Sequence, residues 1–196
     1  PVLEDAGIVI GAVTGALGQR WYDVVVTGME AHAGPTPMGL RKDALFAATH
    51  LMQEVVNIAM AHQPNGRGTV GCVHVHPNSR NVIPGKVEFT VDFRHADDAG
   101  LLAMDAALRQ AAAELSGRFP VQVNVEQVVY FEPVAFTPAL VEAIRTGADR
   151  AGCRHLDIVS GAGHDAVYVA RTAPTAMIFV PCKDGISHNE IEDADP

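Results

Sequence analysis

The clearest pattern of hydrophobic and polar positions is a strict alternation over residues 87–94. Val87, Phe89, Val91 and Phe93 point one way and polar residues point the other, as in a strand with one buried face. Shorter stretches rich in β-branched residues predict three further strands, at residues 22–27, 69–76 and 121–125.

Two stretches have the three-to-four-residue apolar spacing of amphipathic helices. The first runs from about Asp43 to His62, and its apolar face is predicted to hold Leu45, Ala48, Met52, Val55, Val56 and Ala59. The second follows Asp97 or Asp98, either of which can cap it, and Gly117 can end it. Its buried stripe is predicted to hold Leu101, Met104, Leu108, Ala111, Ala112 and Leu115.

The resulting order over residues 20–132 is β-α-β-β-α-β. This order is typical of a ferredoxin-like sandwich, in which two helices cover one face of an antiparallel sheet. The other sheet face would be polar, and the edge strands could pair with another subunit.

After Pro133 the pattern changes to α/β. A helix should open at Thr137-Pro138, a glycine turn follows a short strand near Val159, and the fully apolar Ala176–Val180 resembles a strand of a covered sheet. Some 60 residues are too few for such a domain. We therefore predict that residues 1–19 and 133–196 form part of one α/β domain, into which a domain of residues 20–132 is inserted.

Composition excludes several functional classes. The net charge is −9 and the chain has only 14 Lys and Arg residues, so a nucleic-acid surface is not expected. No apolar stretch of membrane-spanning length was found, so no membrane partner is expected. The three cysteines are widely spaced without a CxxC pair, which indicates reduced thiols in a cytoplasmic protein.

Two histidines lie in segments suited to binding a ligand. His32, between small residues at a strand-to-helix junction, is sterically open and could meet a ligand from outside its own domain. His188 follows a strand predicted to be buried, where α/β proteins place ligands. Together they suggest a site shared between domains or subunits. One histidine cannot hold a divalent ion, since zinc takes three or four ligands.

Other polar residues leave alternatives open. Arg94 could bind a carboxylate or form a salt bridge to Asp92 or Glu88. His74 and His76 share a strand face, where they could chelate a metal or lie on a solvated or interface surface. The amides of residues 161–163 could bind an anion. The adjacent Ser, His and Asp of residues 160–165 are not a nucleophile elbow, because the required first glycine is missing.

Seven motifs, in order and spread nearly end to end, resemble those of one family: Gly18-Gln19-Arg20-Trp21, His32-Ala33-Gly34-Pro35-Thr36-Pro37-Met38, Arg41-Lys42-Asp43-Ala44, Asn81-Val82-Ile83-Pro84-Gly85, Asp92-Phe93-Arg94, Ser160-Gly161-Ala162-Gly163-His164-Asp165-Ala166 and Gly185-Ile186-Ser187-His188-Asn189. This family is the hydantoinase/carbamoylase amidases, a branch of the di-metal aminoacylase and carboxypeptidase superfamily.

The resemblance implies a metal-binding α/β catalytic domain interrupted by a lid domain, and a homodimer made through the lid. It implies hydrolysis of the carbamoyl or ureido C–N bond of N-carbamoyl amino acids or ureido acids by two divalent ions (zinc, manganese or cobalt). It gives His188 the role of a metal ligand and His32 that of an oxyanion-stabilising residue from the partner subunit. Asn81 and Arg94 would hold the substrate carboxylate, and Gly161 and Gly163 would line the pocket.

The sequence departs from the family pattern in one large respect. The family's other metal ligands and its general-base glutamate precede a His-Ile-Glu-Gln-Gly segment, and this sequence starts just after the place of that segment. We therefore expect the chain alone to hold no catalytic metal pair and to be inactive. The alternative is a non-enzymatic ferredoxin-like module for dimerisation or small-molecule binding, because such sandwiches have many functions.

Overall fold

The computed structural model describes residues 2–186 and 189–194, which fall into two compact units. Residues 18–132 form one, called here the sandwich unit. Residues 2–17 and the described residues after 132 form the other, called the terminal unit.

The elements follow one another in chain order. The strands are β1 Ile10–Ala16, β2 Gly18–Thr27, β3 Ala31–His32, β4 Arg67–His76, β5 Val82–Ile83, β6 Lys86–His95, β7 Gln122–Phe131, β8 Val134–Ala135, β9 His155–Ser160 and β10 Met177–Phe179. The α-helices are α1 Val2–Asp5, α2 Ala44–Ala61, α3 Asp98–Arg118, α4 Pro138–Arg150 and α5 Asp165–Val169. Two 3-10 helices span Met38–Leu40 and Lys183–Gly185.

The sandwich unit has the predicted β-α-β-β-α-β order. Its sheet is antiparallel throughout, with the strand order β4-β6-β2-β7 of a ferredoxin-like fold. Buried and partly exposed residues alternate along the whole of β6. In the central strand β2, Val24 pairs with Phe89 of β6 on one side and with Val125 of β7 on the other. Helices α2 and α3 contact each other and the same sheet face, where they enclose one core with Tyr22, Val24 and Phe93.

Helix α2 confirms the prediction of its span and corrects the prediction of its buried face. Asp43 caps it, since its carboxylate accepts a hydrogen bond from the Phe46 amide at 3.0 Å. The buried side chains are Ala44, Ala47, Ala48, Leu51, Val55, Ile58 and Ala59. Val56 is 46% exposed, because the face turned towards the sheet centres on Leu51 and Val55. By length and composition alone α2 could cross a membrane, but it is a core helix of this unit.

Helix α3 begins and ends by side-chain and backbone caps. The Asp97 carboxylate accepts a hydrogen bond from the Gly100 amide at 2.7 Å, as its capping role requires. The prediction that Gly117 ends the helix is wrong: the helix continues to Arg118, and the Phe119 amide donates to the Leu115 carbonyl. Helical geometry continues here because Leu115 and Phe119 still pack on the core.

The terminal unit is built around β1, which the sequence pattern did not predict. Strand β9 pairs parallel with it on one side, and on the other side β10 and β8 pair antiparallel along its two halves. Helix α4 packs on this sheet, and the core holds Ala12, Val13, Phe136 and Val141. The prediction that Ala176–Val180 is a covered strand is wrong for the described residues. There β10 is an edge strand with Ile178 55% exposed, because no described element packs on that side chain.

Candidate functional site

A two-stranded ladder brings His32 and Asn81 together. His32 pairs with Val82 through β3 and β5, and the Ala33 amide donates to the Asn81 carbonyl at 2.8 Å. Both side chains are exposed. The predicted catalytic residue and one predicted substrate-binding residue, 49 residues apart in sequence, therefore lie at one two-stranded ladder.

The His32 ring is oriented by its own loop. The Gly34 amide donates a hydrogen bond to His32 Nδ1 at 3.1 Å. Because Nδ1 is then the acceptor, the neutral imidazole carries its proton on Nε2, which can donate to a ligand. Gly34 permits this close approach, since a Cβ there would lie 3.3 Å from His32 Cε1.

Arg41 and Thr36 hold the His32 loop in place, and sequence reasoning gave neither residue a role. Arg41 donates from Nη2 to the Ala33 carbonyl at 2.7 Å and from Nε to the Thr36 carbonyl at 3.1 Å. The Thr36 hydroxyl donates to the His32 carbonyl at 2.7 Å. One feature of the sequence could have indicated the role of Arg41. The backbone carbonyls of a turn-rich loop need hydrogen-bond donors, and Arg41 is the next strong side-chain donor along the chain.

Arg94 lies on the polar, outward face of β6, as its alternation requires. Asp92 on the same face accepts hydrogen bonds from Arg94 Nε and Nη2, the latter at 2.6 Å, and both residues are half-buried. Of the alternatives left open by the sequence, the salt bridge to Asp92 is formed. A carboxylate ligand of Arg94 would bind a guanidinium whose direction is already set by Asp92.

The structure does not bring Arg94 to the other two sandwich residues within one chain. The β3–β5 ladder lies at the end of the sheet where β6 begins, because the Gly28 amide donates to the Gly85 carbonyl just before Lys86. Arg94 is near the opposite end, roughly 26 Å along the strand at about 3.3 Å per residue. A small substrate cannot span that length.

The outward sheet face has a depression of about 300 Å³ at Asp92, the ion-pair partner of Arg94. Its lining includes the half-exposed Trp21 ring together with Thr69, Thr90 and Asp92. Trp21 is the cross-strand neighbour of Asp92. An aromatic surface therefore lies next to the Arg94–Asp92 pair, where the apolar part of a bound amino acid could rest.

In the terminal unit, Gly161 and Gly163 lie in the exposed turn between β9 and α5. The Ser160 hydroxyl is buried beneath it, 2.9 Å from His164 Nε2, and it accepts a hydrogen bond from the Ala162 amide at 3.2 Å. A buried hydroxyl bonded within its own turn is a structural group rather than an exposed nucleophile. The turn itself is open, since a Cβ added at either glycine would meet nothing within 4 Å.

The predicted metal ligand His188 lies outside the described residues. Within residues 2–186 and 189–194, no group of three His, Cys, Asp or Glu side chains is placed to hold a metal ion. The described part of the chain therefore does not provide the ligand set of a metal pair.

The chain matches a peptidase family, and its relatives include amidohydrolases. The model of the peptidase family M20/M25/M40 matches residues 3–196. An N-carbamoyl-L-amino-acid amidohydrolase of Rhizobium meliloti is 46% identical over 193 residues, 98% of this chain and 46% of the relative. An allantoate amidohydrolase of Escherichia coli is 37% identical over 191 residues, 97% of this chain and 46% of the relative.

A solved structure shows the same fold. The amidase of the hydantoinase/carbamoylase family from Burkholderia multivorans superposes with a TM-score of 0.96 at 58% identity, over 100% of this chain and 47% of that one. The chain thus spans about half the length of the curated relatives it matches.

Proposed function

Because the chain belongs to the peptidase family M20/M25/M40, we propose that it serves the hydrolysis of the carbamoyl or ureido C–N bond of N-carbamoyl amino acids and related ureido acids. The names of its relatives, N-carbamoyl-L-amino-acid amidohydrolase and allantoate amidohydrolase, support this substrate class. The alternative of a non-enzymatic ferredoxin-like module is not favoured, because the family match covers both units rather than the sandwich alone.

The observation that carries the proposal is the oriented guanidinium of Arg94. Both substrate classes carry a carboxylate, and a planar guanidinium binds it through paired, charge-assisted hydrogen bonds. Asp92 limits the rotation of Arg94 and so reduces the entropy lost on binding. Arg94 would fix the carboxylate, and the adjacent Trp21 surface would contact the amino-acid side chain.

His32 would act at the reacting carbonyl. When water attacks the carbamoyl carbon, the C=O π bond opens and negative charge develops on oxygen, and a donor aimed at that oxygen lowers the barrier. The Gly34 hydrogen bond leaves the proton on His32 Nε2, as this role requires. Asn81, directly before strand β5, would add its amide donor to the substrate. Gly161 and Gly163 would line the substrate pocket with backbone amides.

The separation of Arg94 from His32 and Asn81 supports a site completed by a second copy. In a two-fold symmetric dimer, if residue i of one copy contacts residue j of the other, then residue j also contacts residue i. The start of a strand in one copy can therefore lie beside the end of the same strand in the other copy. We propose a homodimer formed through the sandwich unit, in which His32 and Asn81 of one copy meet Arg94 of the other. The edge strands β4 and β7 provide unpaired backbone groups for such an interface.

Relatives in this family are generally metal-dependent, and we propose that two divalent ions supply the activated water when bound. His188 would be one ligand. The described residues do not form the rest of the ligand set, and their proposed part in the reaction is to bind and orient substrate. We expect the 196-residue chain on its own to hold no catalytic metal pair.

The test is a substrate panel on the whole protein with zinc, manganese or cobalt added. N-carbamoyl amino acids, 3-ureidopropionate, allantoate and dipeptides would be compared. We expect the N-carbamoyl and ureido acids to be hydrolysed, and Arg94→Ala to raise KM more than it lowers kcat. His32→Ala should mainly lower kcat, by about a hundredfold. Preferential cleavage of dipeptides, or an unchanged KM for Arg94→Ala, would overturn the proposal.

A further inference from the structure

We propose that Cys72, His74 and Glu88 bind a zinc ion on the outward face of the sandwich sheet. This inference does not depend on the proposed function. No comparison gives these residues a role, and the sequence alone left open whether the histidines of β4 chelate a metal.

A local irregularity of β4 places the first two donors side by side. The pairing of β4 with β6 shifts register between Val70 and Val73, which leaves an extra residue opposite Thr90. The Cys72 amide is tied to the Thr90 hydroxyl at 3.1 Å. Cys72 and His74 then share the outward face, exposed, with Sγ and Nε2 3.2 Å apart.

The separation of these donors is close to what a metal imposes. Zinc lies about 2.3 Å from sulfur and about 2.0–2.1 Å from nitrogen, so two donors at a tetrahedral angle are about 3.6 Å apart. Cys72 and His74 would have to separate by only about 0.4 Å to take up that spacing. Thiolate and imidazole together are a donor set that suits Zn²⁺ and excludes Mg²⁺ and Ca²⁺.

Glu88 supplies the third donor from the neighbouring strand. It lies directly opposite His74 in the β4–β6 ladder, and such partners have Cβ atoms about 5 Å apart. Its carboxylate now accepts hydrogen bonds from Lys86, at 2.6 Å, and from His76.

Metal binding would complete the site by turning one partly exposed side chain, that of Glu88. Within the described residues no three donors yet surround a common point, and Glu88 has to rotate from Lys86 towards His74. Water would fill the fourth position. The Cys72 thiol loses its proton to the buffer as the Zn–S bond forms, so about one proton is released per ion and no oxidation state changes.

The experiment uses the intact 196-residue chain, reduced and freed of metal, titrated first with Co²⁺ and then with Zn²⁺. Thiolate bound to Co²⁺ gives a near-ultraviolet charge-transfer band that nitrogen and oxygen ligands do not give. A metal held at carboxylates and histidines alone would therefore give no band. We expect the band at one ion per chain, its loss in Cys72→Ser, and its displacement by Zn²⁺. Cys153→Ser and Cys182→Ser are the controls and should keep it.

Zinc affinities of four variants, one of them a control, test the three ligands. His74→Ala and Cys72→Ser should each weaken binding by about a hundredfold, since each removes one of three protein ligands. Glu88→Gln should weaken it by about tenfold, whereas His76→Gln, on the same face, should not. The thermal midpoint of each metal-free variant confirms folding. No band in the unmodified chain, a band that survives in Cys72→Ser, or unchanged affinity in Glu88→Gln would overturn the site.

Discussion

Replacing Arg41 by Gln should loosen the loop that presents His32. Arg41 makes two hydrogen bonds to this loop, to the carbonyls of Ala33 and Thr36. Charged donors contribute about 1.5–3 kcal/mol each when buried, and half-burial reduces this to about 1 kcal/mol each. The loss of about 2 kcal/mol corresponds to about a thirtyfold rise in the open population of the loop.

Amide hydrogen exchange followed by NMR measures this opening directly. The Ala33 amide is bonded to the Asn81 carbonyl and exchanges only when the ladder opens. We expect its protection to fall about thirtyfold in Arg41→Gln, with the Val24 amide in the core unchanged. Lys42→Gln is the matched control, because it removes a positive charge from the adjacent residue. Among the described residues, the Lys42 side chain makes none of the hydrogen bonds to the loop that Arg41 makes. Protection of Ala33 that stays within about threefold of the unmodified chain would refute the reasoning.

Three further predictions concern stability, orientation and metal content. Tyr22→Phe should destabilise the chain by about 1–2 kcal/mol, a few degrees in thermal midpoint, because the buried hydroxyl donates to Asp105 at 2.9 Å. Burial and that hydrogen bond raise the pKa of Tyr22, so above about pH 10 the unfolded chain releases a proton that the folded chain keeps. Stability should therefore fall as pH rises past about 10, and less steeply in Tyr22→Phe; equal slopes in urea titrations would contradict this. Asp92→Asn should raise the KM of the whole protein several-fold with little change in kcat, because it weakens the ion pair that orients the Arg94 guanidinium. A pure kcat effect would argue against a positioning role. Elemental analysis of the purified 196-residue chain should find no pair of tightly held ions, and two ions per chain would contradict the account.

Much of the sandwich fold could be predicted from the sequence because its two central strands, β2 and β6, each bury one face. The period-two alternation of Val87 to Arg94 reports that burial directly. Strand β1 gave no such signal, because its small residues and glycines are mostly buried with no polar alternation. The prediction that helix α3 ends at Gly117 is wrong because the packing of neighbouring side chains on the core continues the helix. Local helix propensity is therefore a weak guide where tertiary packing favours another conformation.

The site could be predicted less completely. The motifs indicated His32, Asn81 and Arg94 as candidate site residues. They did not indicate that, within one chain, Arg94 lies at the end of β6 far from His32 and Asn81. The tautomer of His32 and the stabilisation of its loop by Arg41 both depend on hydrogen bonds with backbone groups. Such bonds cannot be predicted from residue types alone. The pairing of Arg94 with Asp92 was one of two alternatives, and side-chain geometry decided between them.

A subunit-mixing experiment tests the central proposal, a carboxylate-binding site shared by two copies. His32→Ala and Arg94→Ala forms of the whole protein would be co-expressed, and hydrolysis of an N-carbamoyl amino acid measured. Random pairing gives about half mixed dimers, each with one intact site of two, so about a quarter of the unmodified activity should return. A mixture no more active than its two parents would contradict the account.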